Sequence, residues 1–178
     1  MKPIILTTLN ARYSHASIAL RYLKANLKEL GDDTLIREFV INTNVQSMAE
    51  EILAHGPRIV GVGVYIWNAS DVSELIGVLK KVAPETLIVL GGPEASHFPF
   101  RVDLDAADYI VQGEGEIAFY ELCRDLLAGK RPEQRIIRAP MVDLEHLVLP
   151  YALYDASLPF QQGAANIHAM HIAVRTTV

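Results

Sequence analysis

Residues 58–90 read RIVGVGVYIWNASDVSELIGVLKKVAPETLIVL. The opening run, 58–67, is apolar on both faces, as a central strand of a parallel sheet must be. Asn68 to Asp71 offer helix N-caps, residues 71–83 carry a helical pattern, and Pro84 closes it. TLIVL at 86–90 is a second short apolar run, so the stretch predicts a strand, a crossover helix and a parallel strand.

The same alternation extends outward in both directions. Residues 3–8 and 34–41 read as strands, separated by a helical pattern over 17–30 that Gly31 stops. A short amphipathic helix is expected over 45–54, and ADYIVQ (107–112) reads as a fifth strand. GEGEIAFYELCRDLLAG (113–129) predicts a helix with an acidic first turn, and QRIIRA (134–139) is a candidate edge strand. The pattern predicts a doubly wound α/β fold, a parallel sheet of about five strands with helices on both faces. It fades after residue 140, which divides the chain into a domain over 1–140 and a linker and tail over 141–178.

Composition narrows the function classes. Hydrophobic residues make up 51% of the 178, with a net charge of −5 and no basic run, so a large core is expected and nucleic acid is not an expected partner. The apolar stretch 59–67 is too short to cross a bilayer, and the N-terminus turns polar by Thr7 without a signal-peptide centre. One cysteine, Cys123, allows neither an intrachain disulfide nor a cysteine-only metal cluster. A soluble cytoplasmic protein with no membrane partner is the expectation.

The unusual residues gather after the strands: LNARYSH (9–15), NASD (68–71), GGPEASH (91–97) and GEGE (113–116). In a doubly wound sheet these turns form the ligand-binding edge. Glycines there let backbone approach a bulky ligand. GGPEASH itself reads as poor material for a helix or a strand. The first turn has no glycine, which argues against a dinucleotide fingerprint; Gly61-Val62-Gly63 lies inside a strand, and no P-loop occurs. The first strand ends in Thr-Thr-Leu, without the paired acids of a phosphoacceptor receiver. Flavin stays open at this point.

Taken in order, NARYSHASIALRYL (10–23), VGVGVYIWNA (60–69), VLGGPEAS (89–96) and ADYIVQGEGEIAFYEL (107–122) resemble the N-terminal cobalamin-binding domain of cobalamin-dependent radical S-adenosylmethionine enzymes. The resemblance spans roughly residues 3–155, and GGPEAS followed by D-x-x-x-x-G-E-G-E is its most specific part. It implies a flavodoxin-like sheet, order 2-1-3-4-5, with the corrin over the carboxyl ends of the strands. It also implies that Gly91, Gly92, Pro93 and Glu94 lie against the nucleotide tail, with Gly113, Glu114 and Gly115 along the tail or the corrin edge. Tyr65 to Asn68, including Trp67, would form the floor below the corrin, and Arg12, Tyr13, Ser14, His15 and Ser17 the loop under the cobalt.

Two departures qualify what it implies. The D-x-H-x-x-G signature of His-ligated cobalamin domains is missing, so His15 is a candidate cobalt ligand only; capping of the first helix or a hydrogen bond to a propionamide is the preferred reading. The C-x-x-x-C-x-x-C motif of the radical domain is also missing. With one cysteine this chain is expected to hold no iron–sulfur cluster, to depend on a radical S-adenosylmethionine domain as partner, and not to be catalytic alone. A shortened family member, an excised domain or a reading frame departing near residue 156 would each account for this.

Plainer roles are expected for several residues. Tyr65 is expected in the core and Trp67 in a pocket wall, with Arg12 and Tyr13 solvated and Cys123 an inert buried thiol. His168 and His171 are too few for a metal site, and His55 and His146 read as surface. The alternatives from other classes are a cofactor-free regulatory module and a flavin-binding electron carrier.

Overall fold

The computed structural model describes residues 2–12, 15–97 and 100–154. Six strands, β1 (Ile4–Asn10), β2 (Thr34–Val40), β3 (Ile59–Gly63), β4 (Leu87–Gly91), β5 (Tyr109–Gln112) and β6 (Ile136–Arg138), form one sheet in the order β2-β1-β3-β4-β5-β6. Every neighbouring pair is parallel. Helices α1 (Ile18–Ala25), α2 (Val45–Leu53), α3 (Ala69–Val82), α4 (Pro93–Ser96) and α5 (Gly115–Leu127) make the crossovers. This is the predicted doubly wound, flavodoxin-like arrangement, extended at one edge by β6.

Strand alternation sends side chains to two cores. Ile5, Leu9, Val60, Val62, Ile88 and Leu90 pack with α2 and α3, whereas Ile4, Leu6, Ile59, Val89 and Val111 pack with α1 and α5. Each fully buried Leu or Ile contributes about 1.5–3 kcal/mol relative to exposure. The helix starts follow from their caps: Ser17 accepts from the Leu20 N–H and Asn44 from the Ser47 N–H.

Four of the differences from the sequence expectation have a local cause. β1 runs to Asn10, because Leu9 and Asn10 still pair with Phe39 and Val40. The first helix ends at Ala25, followed by a 3₁₀ turn over Lys28–Leu30 that Lys28 enters at φ 50°. β3 stops at Gly63 rather than Trp67, because the Asn68 side chain accepts the Tyr65 N–H and turns the chain. GGPEASH contains a short helix after all. Gly92 turns at φ 97° and Pro93 fills the first helical position, where its missing N–H costs nothing.

Residues 141–154, expected to be linker, lie back against the domain. The Val148 N–H donates to Asn26 Oδ1 and the Val148 carbonyl accepts from Asn26 Nδ2. The Arg21 guanidinium stacks over the Tyr154 ring at 5.0 Å. His168 and His171 lie outside the described residues.

Candidate functional site

On the α1/α5 side of the sheet, β3 presents Ile59, Gly61 and Gly63 and β4 presents Val89 and Gly91. Gly63 is paired with Gly91, and Gly61 with Val89. With these side chains missing, α1 and α5 do not close onto the strand ends. A cavity of about 280 Å³ remains, lined by Leu20 and Leu23 of α1, Phe119 of α5, and the three glycines.

The glycines serve different ends. A Cβ at Gly61 would come within 2.9 Å of Leu6 and Phe119, so this glycine is needed for packing. A Cβ at Gly63 would meet Thr8 at 3.5 Å, and one at Gly91 only the Val111 carbonyl at 3.6 Å. Both are ordinary contacts, so the protein's own packing does not demand glycine at either place. Gly92 and Gly113 also line the cavity, but their φ values of 97° and 88° are backbone requirements. A Cβ there would sit 2.6 Å from the Val64 carbonyl and 3.1 Å from the Ala139 carbonyl, respectively.

Tyr65, expected in the core, lines the cavity instead. Burial pushes its hydroxyl pKa up, and a hydrogen bond with the Ser17 side chain partly offsets that. Trp67, expected in the pocket wall, stacks on Tyr65 with ring centroids 4.7 Å apart and planes 5° apart. Its Nε1–H donates to the Leu9 carbonyl, and the indole stays 47% exposed. The strand ends too early to carry either residue, so strand alternation could not assign them.

Asn68 is fully buried, and its amide is used within the protein. Nδ2 donates to Thr8 Oγ1 and to the Leu9 and Gly63 carbonyls, so its role here is to clamp β1 to the exit of β3. Ser17, not His15, caps α1; His15 is exposed and its carbonyl accepts from Asn10 Nδ2. Arg12 is exposed, as expected for a solvated side chain, whereas Tyr13 and Ser14 lie outside the described residues. Glu94 pairs with Arg101 at 3.1 Å, and Pro93 lines a second cleft beyond Gly92.

Glu114 and Gly115 line the cavity, and Glu114 Oε2 accepts from the Val142 N–H. Glu116, not among the expected site residues, lines it too, and its Oε2 is buried without a hydrogen-bond partner. Burial pushes its carboxyl pKa up; its own backbone N–H opposes the shift and Glu114 adds to it. The cavity is therefore an apolar slot with two carboxyl groups at the start of α5, of which Glu116 has a buried, unpartnered oxygen. Ile66, Ile117 and Met141, in the segments that follow β3, β5 and β6, are exposed. The sequence signal for Gly63 was the glycine spacing of two within an apolar strand, which puts both glycines on one face.

The family model described as the B12 binding domain matches residues 4–123. A 2-(S-pantetheinyl)-carbapenam-3-carboxylate methyltransferase from Streptantibioticus cattleyicolor is 33% identical over 104 residues, 57% of this chain and 14% of its own. The cobalamin-dependent radical SAM methyltransferase TokK from Streptomyces tokunonensis is 34% identical over 80 residues, 44% of this chain and 12% of its own. An uncharacterized methyltransferase from Pyrococcus horikoshii is 26% identical over 115 residues, 64% of this chain and 25% of its own. The matches thus span a quarter or less of these relatives. A crystal structure of a cobalamin-binding protein from Desulfitobacterium hafniense superimposes with a TM-score of 0.48 at 17% identity, over 68% of this chain and 56% of that one.

Proposed function

The chain belongs to the B12 binding domain family, and from that premise we propose that it holds a cobalamin with the nucleotide tail in the α1/α5 cavity and the corrin over the carboxyl ends of the strands. One observation carries this reading. Gly63 and Gly91 leave room that the protein's own packing does not require, and that room opens at the strand ends. About 280 Å³ lies at the small end of ligand pockets. It suits a heteroaromatic base with its sugar and is too small for a macrocycle. The corrin therefore has to lie outside, over the strand ends, where Ile66 and Trp67 of the segment after β3 are exposed.

In this arrangement the residues divide the work. Leu20, Leu23 and Phe119 give the base an apolar slot, and Tyr65, held by Ser17 and backed by Trp67, closes its outer end. Gly92 and Gly113 let the backbone approach the tail as it leaves the slot. His15, exposed on the loop after β1, is available to a propionamide. When bound, the cofactor supplies a cobalt that can carry a methyl group or an electron. We further propose that the domain presents it to a separate radical S-adenosylmethionine domain, as the name of one relative suggests.

The test is titration of the purified chain with hydroxocobalamin, followed by gel filtration and the visible spectrum of the protein peak. Co-elution of about one equivalent of corrin is the expected result. A colourless peak at saturating cofactor would favour the cofactor-free binding module.

A further inference from the structure

Gly92 and Gly113 line two cavities. The second, about 470 Å³, lies at the same edge of the sheet between α4 and the ends of β5 and β6, and is bordered by Pro93, Ser96, His97, Gln112 and Arg138. It contrasts chemically with the apolar slot. Gln112 and Arg138 are register partners on β5 and β6, so their side chains leave the sheet on the same face.

The floor of this cleft is laced together. Gln112 Nε2 donates to the Ala95 carbonyl, Ser96 Oγ donates to the Gly92 carbonyl, and the Gly113 N–H donates to Ser96 Oγ. The His97 ring is fixed by Nδ1–H donating to the Pro93 carbonyl. The nearby acids are engaged elsewhere: Glu94 pairs with Arg101, and Glu114 accepts from the Val142 N–H. Among the described residues Arg138 forms no ion pair and no hydrogen bond through its side chain.

We propose that this cleft is an anion site for a phosphate group, with Arg138 as its charged ligand and Gln112, Ser96 and His97 as its polar surround. A guanidinium matches phosphate geometry in two parallel hydrogen bonds. The placement rests on the cobalamin reading. The nucleotide tail carries one negatively charged phosphodiester beside the sugar. Gly92 and Gly113 border both the slot and the cleft at the strand ends, although Gln112 and Arg138 leave the sheet on the face opposite the slot, so a tail that enters the slot past these glycines would bring its phosphate to the cleft. The same chemistry would take the phosphate of a separate ligand, so the source has to be decided by experiment.

Wild type, Arg138→Gln and Arg138→Lys are titrated with hydroxocobalamin, with dicyanocobinamide (a corrin lacking phosphate and base), and with inorganic phosphate followed by amide NMR shifts. Thermal melts verify that the variants fold, as expected for an exposed residue at the end of an edge strand. The expected result is a loss of roughly tenfold or more in hydroxocobalamin affinity for Arg138→Gln, partial recovery in Arg138→Lys, and cobinamide affinity within about twofold. That pattern assigns the phosphate to the cofactor. Unchanged cobalamin affinity, with phosphate-induced shifts around Gln112 and Arg138 that vanish in Arg138→Gln, assigns the site to a separate phosphate-bearing ligand. Equal behaviour of wild type and Arg138→Gln toward all three probes overturns the proposal even if cobalamin binds. Conversely, a wild type that binds no corrin but shows Arg138-dependent phosphate shifts would defeat the cofactor reading and leave the anion site standing.

Discussion

A leucine at position 91 would start from a Cβ that meets only the Val111 carbonyl at 3.6 Å, and its remaining atoms would occupy the cavity. Gly91→Leu is therefore expected to melt within about 1 kcal/mol of wild type and to lose at least tenfold in hydroxocobalamin affinity, read by absorbance titration. Gly113→Val looks equivalent from sequence but is not. At φ 88°, with the Ala139 carbonyl 3.1 Å from where its Cβ would sit, a β-branched residue strains the backbone by roughly 1–3 kcal/mol. Loss of binding there would report on folding as much as on the slot. Glu116 gives a pH signature. Its carboxyl pKa is raised in the folded state, so protonation favours folding: stability is fully present below the unfolded pKa and is lost as pH rises through the folded one. Glu116→Gln should melt higher than wild type at neutral pH and no higher near pH 4. A neutral-pH melt below wild type would show that the ionised carboxylate has a stabilising partner.

At the scale of elements, two side chains hold the strand ends in place. Asn68→Ala would leave the Tyr65 N–H without its acceptor and the Leu9 and Gly63 carbonyls each without an Asn68 donor, an expected loss of about 2–4 kcal/mol read by guanidinium unfolding. Glu38 of β2 accepts from Asn10 Nδ2, the Ser17 N–H and Arg21 Nη1, tying the loop after β1 to its neighbouring strand. Glu38→Ala would leave Arg21 buried without its countercharge, at roughly 3–5 kcal/mol. These couplings explain what the sequence could and could not show. Strands apolar on both faces were legible because burial in a parallel sheet leaves no polar face, and the glycine-rich turns after β4 and β5 were legible by their position. The end of β3 was not, because it is set by the Asn68 amide acting on Tyr65, a contact that periodicity does not encode. Gly61 and Gly63 share a face by their spacing, but only the register with Gly91 shows that the missing side chains of two strands leave one space. Arg138 lay in a run too short to orient, and its register with Gln112 is a tertiary fact.

In the molecule as a whole, the chain leaves the sheet at β6 and returns to its first helix. The Ala139 N–H donates to the Gln112 carbonyl, the Val142 N–H reaches Glu114, Val148 makes two hydrogen bonds to Asn26, and Tyr154 lies under Arg21. The crossing runs from the far edge of the sheet past the start of α5 to α1, the two helices that wall the cavity. A chain ending at residue 140 keeps every strand and α-helix and loses these ties except the first. Each of the three hydrogen bonds is worth about 0.5–1.5 kcal/mol net, and the cation–π contact about 0.5–2, so a loss of roughly 2–6 kcal/mol is expected. For a domain of this size that lowers Tm by roughly 4–24 °C. If the return segment sets the spacing of α1 and α5, the shortened chain should also bind hydroxocobalamin more weakly at a temperature where it remains folded, and hydrogen exchange should rise in α1 before it rises in α3. Equal melting and equal exchange in the two chains would show that residues 141–154 lie on the domain without holding it.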